Sequence, residues 1–148
     1  MTTTIPISTS PSTHSSKCHC GAITLRVRRL PDHINVCQCT ICRRYGAAWG
    51  YYDREEVQIE CQPETATTRQ YIWGDGNVAF NFCERCGCVC YWCPKNSPSP
   101  GEETRVGINT NNMDPEVLRF VDRKYDFSIL KRPLRDQGTA HPDDLAEY

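Results

Sequence analysis

Cysteines constrain this chain more than any other feature, because eleven of them stand among 148 residues and most fall in short groups. The groups are Cys-x-Cys at Cys18 and Cys20, Cys-x-Cys-x-x-Cys over residues 37–42, and Cys-x-x-Cys at Cys83 and Cys86. Clustered cysteines indicate a disulfide framework in an oxidising compartment or metal ligation in a reducing one. An odd number of cysteines fits poorly with complete disulfide pairing, which favours metal.

The N-terminal segment supports the reducing alternative. Residues 1–16 are mostly Ser, Thr and Pro, without the basic region and apolar stretch of a secretory signal. We therefore expect a cytoplasmic protein with a disordered tail over 1–16, one cysteine-rich domain over 17–130 and a loosely ordered tail over 131–148. No stretch approaches the ~20 apolar residues of a membrane helix, so no membrane partner is expected.

Short alternating runs predict a mainly β domain with an antiparallel sheet. Hydrophobic and polar residues alternate over 23–27 and again over 57–61, which is typical of half-buried strands. Residues 70–73 and 78–82 flank a Gly-rich turn and predict a hairpin, and 104–108 predicts a further strand. The chain has few aliphatic and aromatic residues for a core, so we expect bound metal to help stabilise this fold.

The charge balance argues against a polyanionic partner such as nucleic acid. Lys and Arg number 17 against 18 Asp and Glu, so the net charge is -1 and no general field draws in a polyanion. The chain also has no phosphate-binding glycine loop and no basic-aromatic interleaving. We therefore expect no nucleic-acid partner, and the oligomeric state is not predicted.

Two of the cysteine pairs predict a closed metal site. Cys18 and Cys20 are two apart, so on a strand both thiolates would point to one face. Cys83-x-x-Cys86 followed by Gly87 has the form of a zinc knuckle, in which a tight turn lets both thiolates chelate. Four thiolates complete a tetrahedral Zn²⁺ site without an open position, and such sites are structural.

The remaining cluster predicts a different site. Cys37, Cys39 and Cys42 place three ligands within six residues, and a zinc with three protein ligands keeps a position for water or substrate. Alternatively a fourth thiol closes this site as well. The candidates for that fourth thiol are the surplus cysteines, namely Cys61, Cys88, Cys90 and Cys93. Of these, Cys88 and Cys90 are expected to be buried on one strand face.

Other polar residues near the second cluster have competing interpretations. Arg43 and Arg44 follow the third cysteine, where they either hold a carboxylated substrate or form a solvated basic turn. Tyr51 and Tyr52 either line a pocket near residues 46–49 or belong to the core. His19 stands between two cysteines and is expected to face away from the metal, and His14, His33 and His141 are not expected to be ligands.

Three motifs carry a family resemblance: CHCGAI from Cys18, CQCTICRR from Cys37 and FCERCG from Phe82. In this order and spacing the chain resembles the glutathione-dependent formaldehyde-activating enzyme family, or CENP-V/GFA domain family, from about residue 17 to about residue 123. The resemblance implies an Mss4-like β fold with two zinc ions, one structural and one catalytic. The matching ligands are those of the two predicted sites.

The resemblance also implies a function. Family members are classed as carbon-sulfur lyases, whose name reaction joins glutathione and formaldehyde into S-hydroxymethylglutathione. We therefore expect a zinc-dependent lyase acting on a small thiol adduct or a related electrophile, with Cys37, Cys39, Cys42 and Arg43 as catalytic residues. A non-catalytic zinc module that binds a protein partner is the alternative, and a redox role of exposed, low-pKa surplus thiols is a third hypothesis.

Overall fold

A computed structural model describes residues 13–73, 76–95 and 104–128 of the chain. This part of the chain contains ten strands, one short α-helix and two 3-10 helices (Arg54–Glu56 and Thr110–Asn112), which confirms a mainly β domain. In chain order they are β1 (His14–Lys17), β2 (Ile23–Val27), β3 (Ile34–Cys37), α1 (Thr40–Tyr45), β4 (Trp49–Asp53), β5 (Gln58–Cys61), β6 (Thr68–Trp73), β7 (Val78–Cys83), β8 (Val89–Pro94), β9 (Arg105–Asn109) and β10 (Arg123–Asp126).

The strands form two sheets. Three antiparallel strands, in the order β1-β2-β5, make a small sheet, and seven, in the order β10-β3-β4-β9-β8-β7-β6, make a large one. Neighbours in the large sheet are antiparallel except at its edge, where β10 runs parallel to β3. This one pair departs from the antiparallel expectation, because a parallel neighbour needs a crossover that alternating hydrophobic residues do not reveal.

The predicted strands are confirmed, and the N-terminal boundary is corrected. The alternating runs correspond to β2 and β5, the hairpin to β6 and β7, and the further strand to β9; residues 74–75 of the hairpin turn lie outside the described residues. The expected tail over 1–16 is too long, because β1 begins at His14 and pairs with β2. Ser16 is buried and its hydroxyl donates to the carbonyl of Asn109 (3.0 Å). Residues 1–12 and the expected tail over 131–148 lie outside the described residues.

The large sheet has two differently covered faces. One face packs against the small sheet through a core that includes Ile23, Leu25 and Tyr52. The other carries a second core, in which Trp49 and Phe80 pack around α1. Successive residues on a strand point to opposite faces, so Tyr52 of β4 belongs to the first core and the preceding residue, Tyr51, packs against the second. The first core contains Cys18 and Cys83 and the second contains Cys39 and Cys42, so the two cysteine clusters lie on opposite faces.

Candidate metal centres

The first cluster brings together the four cysteines predicted for the closed site. The sulfur atoms of Cys18, Cys20, Cys83 and Cys86 all lie within 4.8 Å of one another. The Cys20 sulfur is 3.6 Å from that of Cys18 and 3.6 Å from that of Cys83. A tetrahedral zinc with Zn–S bonds of about 2.3 Å separates its sulfur ligands by about 3.8 Å, so the donor set fits this ion.

Two similar turns position these thiols. The amide of Gly21 donates to the carbonyl of Cys18 (2.9 Å), and the amide of Gly87 donates to that of Cys83 (2.8 Å). Both glycines have φ near +80°, at 81° and 79°, in the left-handed region that favours glycine. The expectation that Cys18 and Cys20 lie on a strand is therefore wrong, because both precede β2 in a turn. The local turn, rather than strand alternation, makes the two thiols converge.

Burial and local hydrogen bonds shift the pKa values of the thiols in the first cluster in opposite directions. Burial raises the pKa of Cys18 to about 12, although the amide of Ile23 donates to its sulfur (3.3 Å). Burial also acts to raise the pKa of Cys86, but hydrogen bonds with the backbone of Cys20 and Cys88 lower it to about 6. Four thiolates at this spacing repel one another, so a cation is needed to stabilise them together.

The second cluster is built where β3 leads into α1. Cys37 ends β3, Cys39 caps the N-terminus of α1 and Cys42 lies inside the helix. Their three sulfur atoms lie within 4.8 Å of one another, and the amide of Cys42 donates to the Cys39 sulfur (3.4 Å). The helical cap therefore turns the chain so that all three predicted ligands of the second site point to one place.

The second cluster stabilises one thiolate strongly. Hydrogen bonds from the Cys37 and Cys42 thiols lower the pKa of Cys39 to about 3. The hydrogen bond with Cys39 raises the pKa of Cys37 to about 11, and hydrogen bonds with Cys37 and Cys39 raise the pKa of Cys42. Three deprotonated thiols therefore require a positive ion between them, which is the chemistry of a thiolate metal site.

The surplus cysteines do not join the second cluster. Among residues 13–73, 76–95 and 104–128, no fourth His, Cys, Asp or Glu completes it. The surplus cysteines instead belong to the core on the other face of the large sheet, which explains why they do not reach it; they are Cys61, Cys88, Cys90 and Cys93.

The burial of the surplus thiols argues against a redox role. Cys90 is buried as expected, and burial raises its pKa to about 12. Cys93 is buried as well. Cys88 precedes β8 and is only half-buried, so its expected burial is wrong. A hydrogen bond with the backbone of His19 acts to lower the pKa of Cys88, but burial and the neighbouring Cys86 leave it raised. These values contradict exposed, low-pKa thiols.

Aromatic side chains cover the inner side of the second cluster. Trp49 is 1% exposed, and its indole N–H donates to the Cys42 sulfur (3.2 Å). Its ring also packs on that of Phe80, with ring centroids 5.9 Å apart. Sequence reasoning missed Trp49, because nothing in its position seven residues after Cys42 signals a hydrogen bond to sulfur. Donors to a metal-binding thiolate fix its orientation and tune its basicity.

Replacing Trp49 with phenylalanine tests this hydrogen bond. Phenylalanine keeps an aromatic ring but has no N–H, so we expect zinc affinity at the second cluster to fall about 10–100-fold, the usual cost of an outer-shell partner. Competition with a coloured chelator measures the affinity of each site. The first cluster lies on the other face and should keep its affinity. An unchanged affinity at both sites would contradict the role given to Trp49.

Tyr51 lies between the second cluster and a cavity. Its hydroxyl accepts a hydrogen bond from the side-chain amide of Asn35. Burial raises the pKa of Tyr51, and the nearby thiols of Cys37 and Cys42 raise it further, so this phenol stays protonated. The cavity has a volume of about 240 Å³ and is lined by Arg29, Asp32, His33, Tyr51, Tyr52, Asp53 and Arg105.

The cavity was only partly foreseen from the sequence. Tyr51 and Tyr52 line it, but the pocket was expected near residues 46–49, none of which lines this cavity, and Tyr52 also belongs to the buried core. His33 and Arg105 were missed, because His33 directly precedes β3 and Arg105 begins β9, and only sheet pairing brings both beside β4. His33 meets the Tyr51 ring edge-on at 6.2 Å, and the Arg105 guanidinium lies 5.2 Å from its centre.

Two arginines of α1 behave differently. Arg44 donates to the carbonyl of Thr40 (2.8 Å), so it helps to stabilise its own helix. Arg43 is exposed and directly follows Cys42 on the same helix. His19 is exposed and does not join either cluster, as expected.

Gly107 permits the close approach of Trp92 beside this site. A Cβ atom at Gly107 would lie 2.0 Å from the Trp92 indole nitrogen, and Trp92 in turn meets the Tyr51 ring at 6.1 Å. We expect Gly107→Ala to reduce the free energy of unfolding by about 1–3 kcal/mol, because the rigid indole must shift. Urea denaturation measures it. Combining the change with Trp92→Ala should remove most of the added cost; equal costs in both backgrounds would contradict a clash with Trp92.

The fold and the two clusters define a class of protein: a small β domain with two cysteine sites suited to zinc. The model of the glutathione-dependent formaldehyde-activating enzyme family matches residues 13–122. The chain belongs to this family, and its Mss4-like β architecture and two cysteine clusters agree with that membership.

A solved structure supports the fold. A crystal structure of a Rhodobacter sphaeroides protein from structural genomics is similar over 74% of this chain and 99% of its own, with 24% identity and a TM-score of 0.54. At this identity the likeness concerns the fold alone. No helix in the described part of the chain is long and apolar enough to cross a membrane.

Proposed function

We propose that the chain is a zinc-dependent carbon-sulfur lyase that acts on a small thiol adduct such as S-hydroxymethylglutathione. The observation that carries this proposal is the second cluster, in which three cysteine sulfurs converge without a fourth ligand from the described residues. A zinc with three protein ligands keeps a position for water or substrate, whereas a closed site is structural. Family membership supplies the thiol and aldehyde as the substrate class.

The residues divide into two proposed sites. Cys18, Cys20, Cys83 and Cys86 hold a structural zinc, and Cys37, Cys39 and Cys42 hold a catalytic one, which makes two zinc ions per chain. When bound at the second cluster, zinc would lower the pKa of a substrate thiol that reaches it. Arg43, exposed beside Cys42, supplies positive charge for an anionic group of the substrate.

The reaction moves one proton and makes one bond. In the forward direction a C–S bond forms between the thiol sulfur and the aldehyde carbon while the carbonyl π bond breaks, and the proton lost from the thiol ends on the former carbonyl oxygen. Tyr51 is protonated, held by Asn35 and adjacent to the cluster, so its hydroxyl can donate a hydrogen bond to that oxygen. Trp49 and Phe80 exclude water from the inner side of the cluster.

Exchange spectroscopy tests the proposal directly. Glutathione and ¹³C-formaldehyde form an equilibrium mixture whose free and adduct carbons give separate NMR signals. We expect the zinc-loaded protein to accelerate exchange between these signals in proportion to its concentration, without shifting the equilibrium. Exchange no faster than in buffer would contradict lyase activity on this substrate.

One observation favours the alternative of a partner-binding module. Large apolar side chains are exposed near β10, with Phe120 92% exposed and Tyr125 and Phe127 more than half exposed. A binding module would not need an open metal position, so it predicts complete sulfur coordination of every zinc. The ligand set of the second zinc therefore separates the two functions.

A further inference from the structure

We propose that the chain pairs with a second copy of itself along β10, through antiparallel backbone hydrogen bonds centred on Tyr125. The inference goes beyond the proposed function and does not depend on it. Its support comes from the position of β10 in the sheet, the direction of its backbone groups and the order of charges along it.

The strand β10 forms one edge of the large sheet. It pairs with β3 on one side, and no strand of the described part of the chain pairs with its other side. Tyr125 is 64% exposed, and Phe127, which directly follows the strand, is 55% exposed. An edge strand offers backbone hydrogen-bonding groups to another chain, and exposed aromatic side chains add apolar area to such a contact.

The backbone groups of alternate residues face the open side of β10. The carbonyl of Asp122 accepts from the amide of Ile34 (2.8 Å). The carbonyl of Asp126 likewise accepts from the amide of Gln38 (2.9 Å), so the even-numbered residues pair with β3. Because the backbone groups alternate in direction along a strand, those of the odd-numbered residues point away from β3. The odd-numbered residues are Arg123, Tyr125 and Phe127.

One antiparallel register matches these side chains to a second copy. In a two-fold symmetric pair of strands, the central residue faces its own copy. Centring on Tyr125 places the two tyrosine rings side by side, which is a favourable cross-strand pair. The same register sets Arg123 opposite Phe127 of the other copy, where the guanidinium can lie over the aromatic ring.

The charges of β10 select this register over its neighbours. Centring on Arg123, Lys124 or Asp126 brings that residue against its own copy, so like charges face each other and weaken the pair. The register centred on Tyr125 instead sets Lys124 opposite Asp126 of the other copy, on both sides of the axis. Asp126 keeps the contacts with its own chain, including hydrogen bonds of 2.9 and 3.5 Å, and its negative charge still favours a lysine opposite it. Charges that usually prevent edge pairing here permit one arrangement.

The expected dimer is weak. The ladder involves only residues 123–127 of each chain, so its interface is smaller than the ~1,200–2,000 Å² of stable complexes. We therefore expect a Kd of about 1–100 μM. Sedimentation velocity of the full-length, zinc-loaded chain measures it, and the wild-type protein should pass from monomer to dimer as its concentration rises through this range.

Proline at position 125 tests the backbone pairing. Proline has no N–H, and the amide of Tyr125 does not pair with β3, so Tyr125→Pro removes an intermolecular donor without breaking the sheet. We expect the Kd of the dimer to rise about tenfold or more, since the central hydrogen bonds are lost from both copies. The matched control is Tyr125→Phe, which keeps the amide and the ring and should dimerise like the wild type.

Charge reversal tests the register. Lys124→Glu and Asp126→Lys each set like charges opposite one another in a homodimer, so each variant alone should be monomeric. An equal mixture of the two should form a heterodimer, because opposite charges then face each other on both sides of the axis. Lys95→Glu reverses an exposed lysine that follows β8 and should dimerise like the wild type. Circular dichroism checks that each variant is folded. If Asp126→Lys is not, Lys124→Glu and Tyr125→Pro together decide.

The outcomes separate a second copy from other occupants of this edge. A dimer that Tyr125→Pro and Lys124→Glu both weaken, and that Tyr125→Phe retains, supports the inference. A wild-type chain that stays monomeric at every concentration overturns it, and would leave another occupant for the edge, such as residues 129–148 of the same chain. A dimer that Tyr125→Pro and Lys124→Glu both leave intact also overturns it, because the contact then lies elsewhere.

Discussion

Replacing Cys20 with serine should lower the free energy of unfolding by at least about 4 kcal/mol. Cys20 is exposed, and an exposed side chain without a special role usually contributes within about 0.5 kcal/mol. As a ligand of the proposed structural zinc it would share in a site whose apparent binding free energy reaches about 10–16 kcal/mol in peptides, against a total stability of about 5–15 kcal/mol. Urea denaturation with zinc present measures the loss.

A matched control distinguishes zinc ligation from the loss of any thiol. Cys61 is half-buried on β5 and belongs to neither cluster, so Cys61→Ser removes a more buried sulfur without removing a ligand. We expect the control to be less destabilised than Cys20→Ser despite its greater burial. The reverse order would show that the first cluster does not hold a stabilising ion.

Replacing Cys39 with serine should abolish catalysis while leaving the fold intact. Serine is a favoured N-cap residue, so it can take over the capping role of Cys39 at the start of α1. Its hydroxyl is a much poorer zinc ligand than a thiolate at neutral pH. We expect the exchange rate to fall about 10³-fold or more, which corresponds to an activation barrier about 4 kcal/mol higher. Exchange NMR measures the rate.

Stability and a second variant complete this test. The melting temperature of Cys39→Ser should stay within a few degrees of the wild type, because the first cluster lies on the opposite face and remains filled. Cys61→Ser should retain the wild-type rate. A fully active Cys39→Ser protein would remove the second cluster from the mechanism.

Cysteine spacing predicted the membership of both clusters, because chelation imposes short, fixed separations on its ligands. The knuckle at Cys83 and Cys86 is visible from two residues and a following glycine. The companion pair, Cys18 and Cys20, was assigned to the right cluster but to the wrong local structure. Spacing alone does not separate a strand from a turn when both bring two thiols to one side.

The rest of the site could not be predicted from the sequence, because strand pairing brings its residues together from distant parts of the chain. The surplus thiols could not be excluded from the second cluster until the sheet placed them on the opposite face. Sequence spacing does not reveal the contacts of Trp49 and Arg105. Trp49 lies on β4 and donates to a cysteine of α1, and Arg105 lies on β9 opposite Asp53 of the neighbouring strand β4. The same limit explains the misplaced tail boundary, since β1 is polar and its pairing with β2 uses the backbone.

Zinc-edge X-ray absorption, combined with metal stoichiometry, tests the central claim that the second cluster holds an open catalytic zinc. We predict two zinc ions per chain, with four sulfur ligands on one ion and three sulfur ligands plus one oxygen or nitrogen ligand on the other. In Cys39→Ser one ion should be lost and the remaining one should have only sulfur ligands. One zinc per wild-type chain, or two zinc ions with complete sulfur coordination, would contradict the lyase proposal and favour the partner-binding module.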